Sequence, residues 1–312
     1  MTFTEDVKNE LVRLTESDPC CRRAMIAAII RHSGNLQLAR GGGLGLNIST
    51  QSPSVARAIF KLVKEQQPAT RVFIRKRSAF RKNNMYLIFA PGAEKVLDAV
   101  GLWNAERKSI RFEWEPLSKI CCIRAYLRGA FLVGGTVNDP RGSSYHLEIV
   151  AEYEPQAEYL CGLMSESGLR PKVVQRKQLF VVYLKDVEQI TDFLNLIGAH
   201  AALLRMEDAR VMKDMRNKVN RLVNAETANL NKTVLASWRQ LEAIRFLDRE
   251  VGVLSLPQDL QVLAELRGKY PDASLQELGQ LLEPHLSKGT VNHRLRKLEA
   301  LACRHGYRGE QG

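Results

Sequence analysis

The stretch CCIRAYLRGAFLVGG at residues 121–135 has a weaker copy, CCRRAMIAAIIRHSG, at residues 20–34 of this 312-residue chain. A shift of 101 positions, which is 121 minus 20, aligns identical residues of the two copies: Cys20 with Cys121, Cys21 with Cys122, Arg23 with Arg124, Ala24 with Ala125, and Gly34 with Gly135. A repeat with so long a period predicts two copies of one structural unit.

The segments around the two copies follow the same order. Each half reads as an apolar helix, a hairpin, a helix opened by a proline (Pro53 or Pro155), a second hairpin and a closing helix. We therefore predict a duplicated αββαββα unit over residues 1–206, with repeats at about 1–103 and 104–206. The helices that carry the repeated stretch, called the signature helices below, should pack together at the centre of this α+β domain.

The character of the sequence changes beyond Met206. Strand patterns stop, and apolar residues continue at helical spacing. We predict a helical linker over residues 207–232, followed by an all-α domain with a helix-turn-helix over residues 233–312. The expected fold class is thus an α+β domain followed by a helical one.

The helix-turn-helix prediction depends on two capping residues near the C-terminus. Ser274 stands three residues before Glu277, which is the spacing of a capping box, and Ser287 precedes a second helix. A capped helix, a short break and a basic second helix are typical of helix-turn-helix domains. Val291, Leu295 and Leu298 would form the buried face of the second helix. An ordinary packing hairpin is the alternative.

The start and opposite face of this second helix supply the candidate DNA-binding residues. Its first turns are expected to contact base edges or nearby phosphates, and its basic residues are expected to contact phosphates. The candidates are Ser287, Lys288, Gly289, Thr290, Asn292, His293, Arg294, Arg296 and Lys297.

Two further polar groups are possible DNA backbone contacts. The hairpin RVFIRKRSAFRK carries four arginines at near-alternating positions: Arg71, Arg75, Arg77 and Arg81. Asn217 and Arg221 lie one helical turn apart in the linker. The alternative for both groups is an ordinary solvated surface.

Composition narrows the choice of partners. The formal net charge of +12 favours a polyanion such as double-stranded DNA. We expect no membrane partner, because no apolar run of about 18 residues is present and the N-terminus does not resemble a signal peptide. No phosphate loop is visible, so no small-molecule substrate and no cofactor are expected. A cytoplasmic protein is the expectation.

The six cysteines do not form C-x-x-C pairs. We expect reduced, buried thiols and no metal. The alternative is that the pairs Cys20–Cys21 and Cys121–Cys122 meet across a pseudo-twofold axis and bind a metal. Adjacent cysteines point in different directions on a helix, which argues against that alternative.

The two signature helices, each leading into a pair of strands, resemble the LAGLIDADG homing endonuclease fold. This resemblance implies a saddle of two sheets on DNA and an acid before the last glycine of each signature, where the two acids together bind Mg²⁺. Those positions are Ser33 and Gly134 in this chain, and neither supplies a carboxylate. The resemblance therefore implies a saddle without nuclease chemistry, and Asp139 five residues further on reads as a hairpin residue.

The order of three features resembles the WhiA family: the altered LAGLIDADG-like domain, the connector RNKVNRLVNAETAN and the C-terminal stretch SKGTVNHRLRKLEALA. The resemblance covers nearly the whole chain. It implies a bacterial DNA-binding regulator that acts in sporulation, cell division or chromosome segregation, associated with the nucleoid and with possible protein partners in those processes. A protein-interaction adaptor that uses the saddle, and a metal-dependent nuclease with displaced acids, are the rival hypotheses.

Overall fold

The computed structural model describes residues 2–14, 16, 18–38, 43–76, 84–104, 106, 109–110 and 116–308. The chain divides into two compact units, Met1–Lys213 and Asp214–Gly312.

The first repeat follows the predicted order. Its elements are α1 (Phe3–Leu11), α2 (Pro19–Ser33), β1 (Gly34–Leu38), β2 (Leu44–Thr50), α3 (Pro53–Gln66), β3 (Arg71–Arg75), β4 (Met85–Pro91) and α4 (Ala93–Ala99). A short ladder of β5 (Trp103–Asn104) and β6 (Ser109–Ile110), which the sequence analysis did not predict, leads to the second repeat.

The second repeat has the same order of elements. They are α5 (Ile120–Gly134), β7 (Gly135–Val137), β8 (Leu147–Ala151), α6 (Glu154–Glu166), β9 (Lys172–Arg176), β10 (Leu179–Leu184) and α7 (Val187–Ile197). Because the strand orders are β1-β2-β4-β3 and β7-β8-β10-β9, the predicted duplication is confirmed. The registers agree as well: Gly34 pairs with Ile48, and the residues 101 positions later, Gly135 and Ile149, also pair.

The signature helices α2 and α5 pack against each other in the centre of the first unit. Gly129 lies at the closest approach, where an added Cβ would stand 2.6 Å from the Met25 carbonyl oxygen and 3.1 Å from Ala28 Cβ. Ala28 and Gly129 are equivalent under the 101-residue shift. Their contact therefore places the pseudo-twofold relation at this point, and only small residues let the two backbones come so close.

One long helix, α8 (His200–Glu250), follows the second repeat. It begins within the predicted first domain, 1–206, and continues without a break through the predicted linker, 207–232. Helix α8 begins before the predicted linker because the carboxylate of Glu10 accepts hydrogen bonds from two backbone N–H groups of its first turn. These are the N–H groups of Ala201 (2.7 Å) and Ala202 (3.0 Å). A side chain from α1 thus caps the helix, an arrangement that local sequence patterns cannot reveal.

The second unit is helical, as predicted. After a short 3-10 helix at Val253–Ser255 it contains α9 (Gln258–Lys269), α10 (Leu275–Gln280) and α11 (Lys288–Arg304). Its core joins the end of α8 to these three helices. The buried apolar residues are Ala243, Ile244, Leu247, Leu260, Leu263, Ala264, Leu278, Leu282, Val291, Leu295, Leu298 and Ala302.

Candidate nucleic-acid interface

A serine caps the N-terminus of each of the helices α10 and α11, as the sequence predicts. The Ser274 hydroxyl accepts a hydrogen bond from Glu277 N at 3.2 Å, and a Glu277 carboxylate oxygen accepts one from Ser274 N at 2.7 Å. Hydrogen bonds that the backbone N–H and the hydroxyl of Ser274 donate to the Glu277 carboxylate lower the pKa of this carboxyl. Ser287 caps α11 by accepting from Thr290 N at 3.2 Å, and its hydroxyl lies 2.9 Å from Thr290 Oγ1. Both hydroxyls at the start of α11 therefore serve the cap.

Gly279 sets the spacing between α10 and the turn that follows it. Its carbonyl oxygen accepts a hydrogen bond from Leu286 N at 3.0 Å, and an added Cβ would stand 2.2 Å from the Leu286 carbonyl oxygen. No side chain fits at that distance, so a glycine is required here. Gly279 is not among the residues predicted from the sequence, although a glycine inside a short helical pattern was the available signal.

Arg267 ties the second unit together from within, and the sequence analysis missed it as well. Its side chain is 1% exposed. Its guanidinium donates to Gln240 Oε1 at 2.9 and 3.0 Å, and to the carbonyl oxygens of Pro271 and Ala273. Desolvation lowers the pKa of this guanidinium, and the hydrogen bonds to neutral oxygens offset part of the burial cost.

The two faces of α11 differ as predicted. Val291, Leu295 and Leu298 are buried against the core of the unit. Most of the candidate residues lie on the exposed part of the helix: Ser287, Lys288, Gly289, Thr290, His293, Arg296 and Lys297. Asn292 is half-buried. Within the described part of the second unit, no acidic side chain forms an ion pair with Lys288, Arg296 or Lys297.

Arg294 differs from the other candidates. It is half-buried, and its Nε lies 3.4 Å from Asp259 Oδ2. This ion pair joins α11 to α9, so the guanidinium already has a partner inside the unit. This contact helps to position α11 within the unit, and the phosphate contact expected of Arg294 from the sequence stays a prediction.

The first turn of α11 has the properties of an anion-binding helix end. Lys288 and Gly289 are its first two residues, and a Cβ added at Gly289 would meet only the Ser287 hydroxyl, at 3.7 Å. Packing within the unit therefore does not require a glycine at this position. The positive end of the helix dipole, the early backbone N–H groups and Lys288 all favour a phosphate there.

The other proposed backbone contacts are arranged less uniformly. Arg71 and Arg75 lie exposed on β3, the edge strand of the first sheet, and the three residues between them are exposed as well. Arg77 and Arg81 fall outside the described residues. Asn217 and Arg221 are exposed on α8. On the second sheet, Arg176 pairs with Glu148 at 3.2 Å, so that sheet carries its own counter-charge.

The positions where a metal-binding acid would stand have other roles here. The Ser33 hydroxyl donates to the Ser49 carbonyl oxygen at 3.3 Å. A Cβ added at Gly134 would lie 3.0 Å from the Val150 carbonyl oxygen, so the backbone of β8 approaches this glycine closely. Neither position presents a carboxylate.

The cysteines contradict the sequence-based expectation in two respects. Cys20, Cys121 and Cys303 are exposed rather than buried, and the Sγ atoms of Cys20, Cys21, Cys121 and Cys122 all lie within 4.8 Å of one another. The expectation was wrong about burial and about convergence, because adjacent cysteines diverge on one helix but two packed helices can bring both pairs to one point. The expected absence of a metal stays a prediction. Burial raises the pKa of Cys122 to about 11, whereas a hydrogen bond from Cys122 lowers that of Cys20.

None of the helices in the described part of the chain combines the length and the apolar character that a membrane span requires.

Comparisons with known proteins agree with this geometry. Models of the WhiA N-terminal LAGLIDADG-like domain, the WhiA LAGLIDADG-like domain and the WhiA C-terminal HTH domain match residues 19–103, 123–216 and 219–302. Proteins named "Probable cell division protein WhiA" from Heliobacterium modesticaldum and Halalkalibacterium halodurans are 49% and 48% identical to the chain. The alignments cover 97% of this chain and 96% and 95% of those relatives.

Solved structures show the same fold. Full-length DUF199/WhiA from Thermotoga maritima has a TM-score of 0.61 at 24% identity, over 97% of this chain and 99% of that one. The N-terminal LAGLIDADG domain of DUF199/WhiA has a TM-score of 0.52 at 22% identity, over 63% of this chain and 90% of that one. The resemblance inferred from the three sequence features is confirmed.

Proposed function

The chain belongs to the WhiA family, and from that premise we propose that it is a non-enzymatic protein that binds double-stranded DNA through α11. The observation that carries the proposal is the exposed face of α11. Lys288, Arg296 and Lys297 point away from the core on a capped helix whose first turn is open to an anion. Two of the other candidates, Asn292 and His293, lie between these cations in sequence and could contact base edges.

Binding of this kind must depend strongly on salt. Each phosphate neutralised by a lysine or arginine releases counterions, and the logarithm of the binding constant falls by roughly 0.9 per contact for each unit of log salt concentration. Arg71, Arg75, Asn217 and Arg221 would add sequence-independent contacts if the first unit or α8 also contacts DNA. The salt slope therefore counts contacts, and base preference reports on α11.

The test is fluorescence-anisotropy binding of the full chain to duplexes selected from a random pool, repeated over a salt series. Arg296→Ala and Lys297→Ala should each weaken binding and reduce the salt slope by about one. Arg249→Ala, which removes an exposed cation at the end of α8, is the matched control and should leave both unchanged. If no sequence is selected from the pool, or if all three variants behave alike, the proposal is wrong.

We propose a role in transcription regulation linked to cell division, chromosome segregation or sporulation, in the cytoplasm and in association with the nucleoid. The support is the helix-turn-helix model and the name of the relatives, which describes those proteins as probable cell division proteins. Loss of the gene combined with chromatin immunoprecipitation would identify the promoters or chromosomal sites concerned.

An adaptor function is the second candidate, and one observation favours it. The edge strand β3 exposes apolar side chains as well as arginines, with Phe73 and Ile74 50% and 60% exposed. A protein partner could cover such a strand. Pulldown with the first sheet intact or altered at Phe73→Ser, after nuclease treatment, separates this candidate from DNA binding.

The nuclease alternative is tested directly by incubation with plasmid DNA and Mg²⁺. Because Ser33 and Gly134 cannot hold a metal ion through carboxylates, we expect no specific cleavage. Specific, Mg²⁺-dependent cleavage would overturn the non-enzymatic assignment.

A further inference from the structure

Four thiols meet where the two signature helices begin. Cys20 and Cys21 lie in the first turn of α2, directly after Pro19, and Cys121 and Cys122 lie in the first turn of α5, directly after Ile120. Their four Sγ atoms all lie within 4.8 Å of one another. In the described part of the chain, this is the only group of three or more cysteine, histidine or acidic side chains close enough to hold a metal ion.

The pseudo-twofold relation of α2 and α5 explains the convergence. Cys20 forms a thiol contact with Cys122, and Cys21 forms the corresponding contact with Cys121. These two contacts exchange under the 101-residue shift, as a twofold axis between the helices requires. Each repeat thus supplies two thiols, and neither repeat can form the cluster alone.

We propose that Cys20, Cys21, Cys121 and Cys122 together bind one Zn²⁺ ion in a tetrahedral, four-thiolate site. A zinc–sulfur bond of about 2.3 Å places the sulfurs of such a tetrahedron roughly 3.8 Å apart. Rotation of the thiol side chains alone could close much of the difference from the observed separations. Four sulfur ligands leave no open coordination position, so the site is structural and does not activate water.

The surroundings favour a negatively charged complex. The four thiols give up four protons to solvent when Zn²⁺ binds, and the resulting zinc–thiolate unit carries a net charge of −2. The N-terminal ends of two 15-residue helices point their positive dipoles at this charge, and their early N–H groups lack intrahelical acceptors. Lys119, the N-cap residue of α5, adds a positive charge beside the cluster.

Other occupants fit less well. An iron–sulfur cluster places several irons between the thiolates and needs the four cysteine sulfurs further apart than they are here. Soft thiolates exclude Mg²⁺ and Ca²⁺, which prefer oxygen. Two disulfides between the helices would use the same four sulfurs, but each requires an S–S distance near 2.05 Å, and all six cysteines are free thiols in the structure.

Zinc would hold the two repeats together at the end of the α2–α5 seam. Zinc binding is independent of the proposed DNA binding, so failure of one proposal would leave the other intact. Because the ion requires ligands from both repeats, metal binding and docking of the repeats must be coupled.

The experiment uses the full-length chain, purified under reducing conditions without chelator. Metal content by mass spectrometry should give one equivalent of zinc per chain. After zinc is removed, Co²⁺ should produce the intense visible absorption of a tetrahedral thiolate site, and Zn²⁺ should displace it. X-ray absorption should show four sulfurs at about 2.3 Å.

The variant Cys20→Ser/Cys121→Ser removes one ligand from each repeat at exposed positions, and should lose zinc, the cobalt spectrum and the zinc-dependent rise in Tm. Cys161→Ser/Cys303→Ser removes two thiols outside the cluster and should retain all three. Circular dichroism of both variants reports whether they fold. Absence of a metal equivalent in the native chain, or zinc retained by the cluster variant, would overturn the proposal. So would mass spectrometry that finds cross-helix disulfides in place of metal.

Discussion

The α2–α5 seam and the α10–α11 corner are both built around a glycine that faces a backbone oxygen. At Gly129 an added Cβ would stand 2.6 Å from the Met25 carbonyl oxygen, and at Gly279 it would stand 2.2 Å from the Leu286 carbonyl oxygen. The two contacts have different surroundings. Much of both helices is buried at the seam, whereas at the corner α11 packs on one side and exposes a basic surface on the other.

The α2–α5 seam has the features of a packing contact, whereas the α10–α11 corner also exposes the surface that we propose for DNA binding. The duplicated stretch places small and apolar residues between the helices, and Ser33 and Gly134 carry no carboxylate. What the two copies share is therefore the packing of α2 against α5. The α10–α11 pair occurs once, and its exposed residues have no packing reason for their charge.

Gly279→Ala should have the largest effect. A methyl group at 2.2 Å from a carbonyl oxygen forces α10 away from the turn before α11, and such overpacking costs about 3 kcal/mol of the free energy of unfolding. Chemical denaturation monitored by circular dichroism measures the change, and DNA binding should fall with it. The control is Gly268→Ala on α9, where a Cβ meets nothing within 4 Å. Equal stability of the two variants would contradict the close contact.

Gly129→Ala should be the next most damaging change. The added methyl would press on the Met25 carbonyl oxygen and on Ala28, and we expect a loss of about 2 kcal/mol in the first unit. The control is Gly162→Ala on α6, where a Cβ has open space. If the α2–α5 seam serves packing alone, DNA binding by α11 should persist in folded Gly129→Ala protein. A loss of DNA binding without a loss of folding would show that the seam also contributes to binding.

His32 makes the stability of the seam dependent on pH. Its Nδ1 lies 3.2 Å from the Val150 carbonyl oxygen, and burial lowers the pKa of the imidazole from 6.5 to about 4. Nε2 of His32 and the Tyr126 hydroxyl are buried without a hydrogen-bond partner in the structure as described. The folded imidazole is therefore neutral at pH 7.

Because the unfolded chain binds this proton near pH 6.5 and the folded chain only near pH 4, the free energy of unfolding falls as the pH drops through that window. The contribution of His32 at pH 5 is a loss of about 2 kcal/mol relative to pH 7.5. Urea midpoints at both pH values, compared with those of His32→Phe, isolate the effect. A variant with the same pH dependence as the native chain would show that His32 is not the group responsible.

Local patterns were sufficient for the elements whose residues decide their own structure. The Ser274 and Ser287 caps, the buried face at Val291 and Leu295, and the matched strand order of the two repeats all follow from spacing. Contacts between residues far apart in the chain were not visible in this way. Glu10 caps α8, which begins 190 residues later at His200. The guanidinium of Arg267 donates hydrogen bonds to Gln240 on another helix and to two carbonyl oxygens.

The residues of the candidate site also fall into those that local patterns predict and those that depend on contacts between helices. The exposed cations of α11 could be predicted because the apolar residues define the buried face of the helix, and the opposite face must then be exposed. Arg294 could not be separated from its neighbours, since its partner Asp259 lies on another helix. The cysteine cluster was disfavoured as an alternative because the directions of adjacent side chains are known within one helix, whereas the approach of a second helix is a property of the whole fold.

Gly289→Ala should have the smallest effect on stability and is the sharpest test of the comparison. Unlike Gly129 and Gly279, Gly289 has open space around its missing Cβ, so the substitution should fold normally and gain up to about 1 kcal/mol from helix propensity. If the backbone at the start of α11 lies against DNA, the added methyl should weaken binding by about tenfold, or roughly 1.4 kcal/mol. Thermal unfolding and anisotropy on the same sample measure both quantities. A stable variant with weakened binding means that this glycine is retained for the ligand, whereas unchanged binding would place the DNA contact further along the helix, at His293 and Arg296.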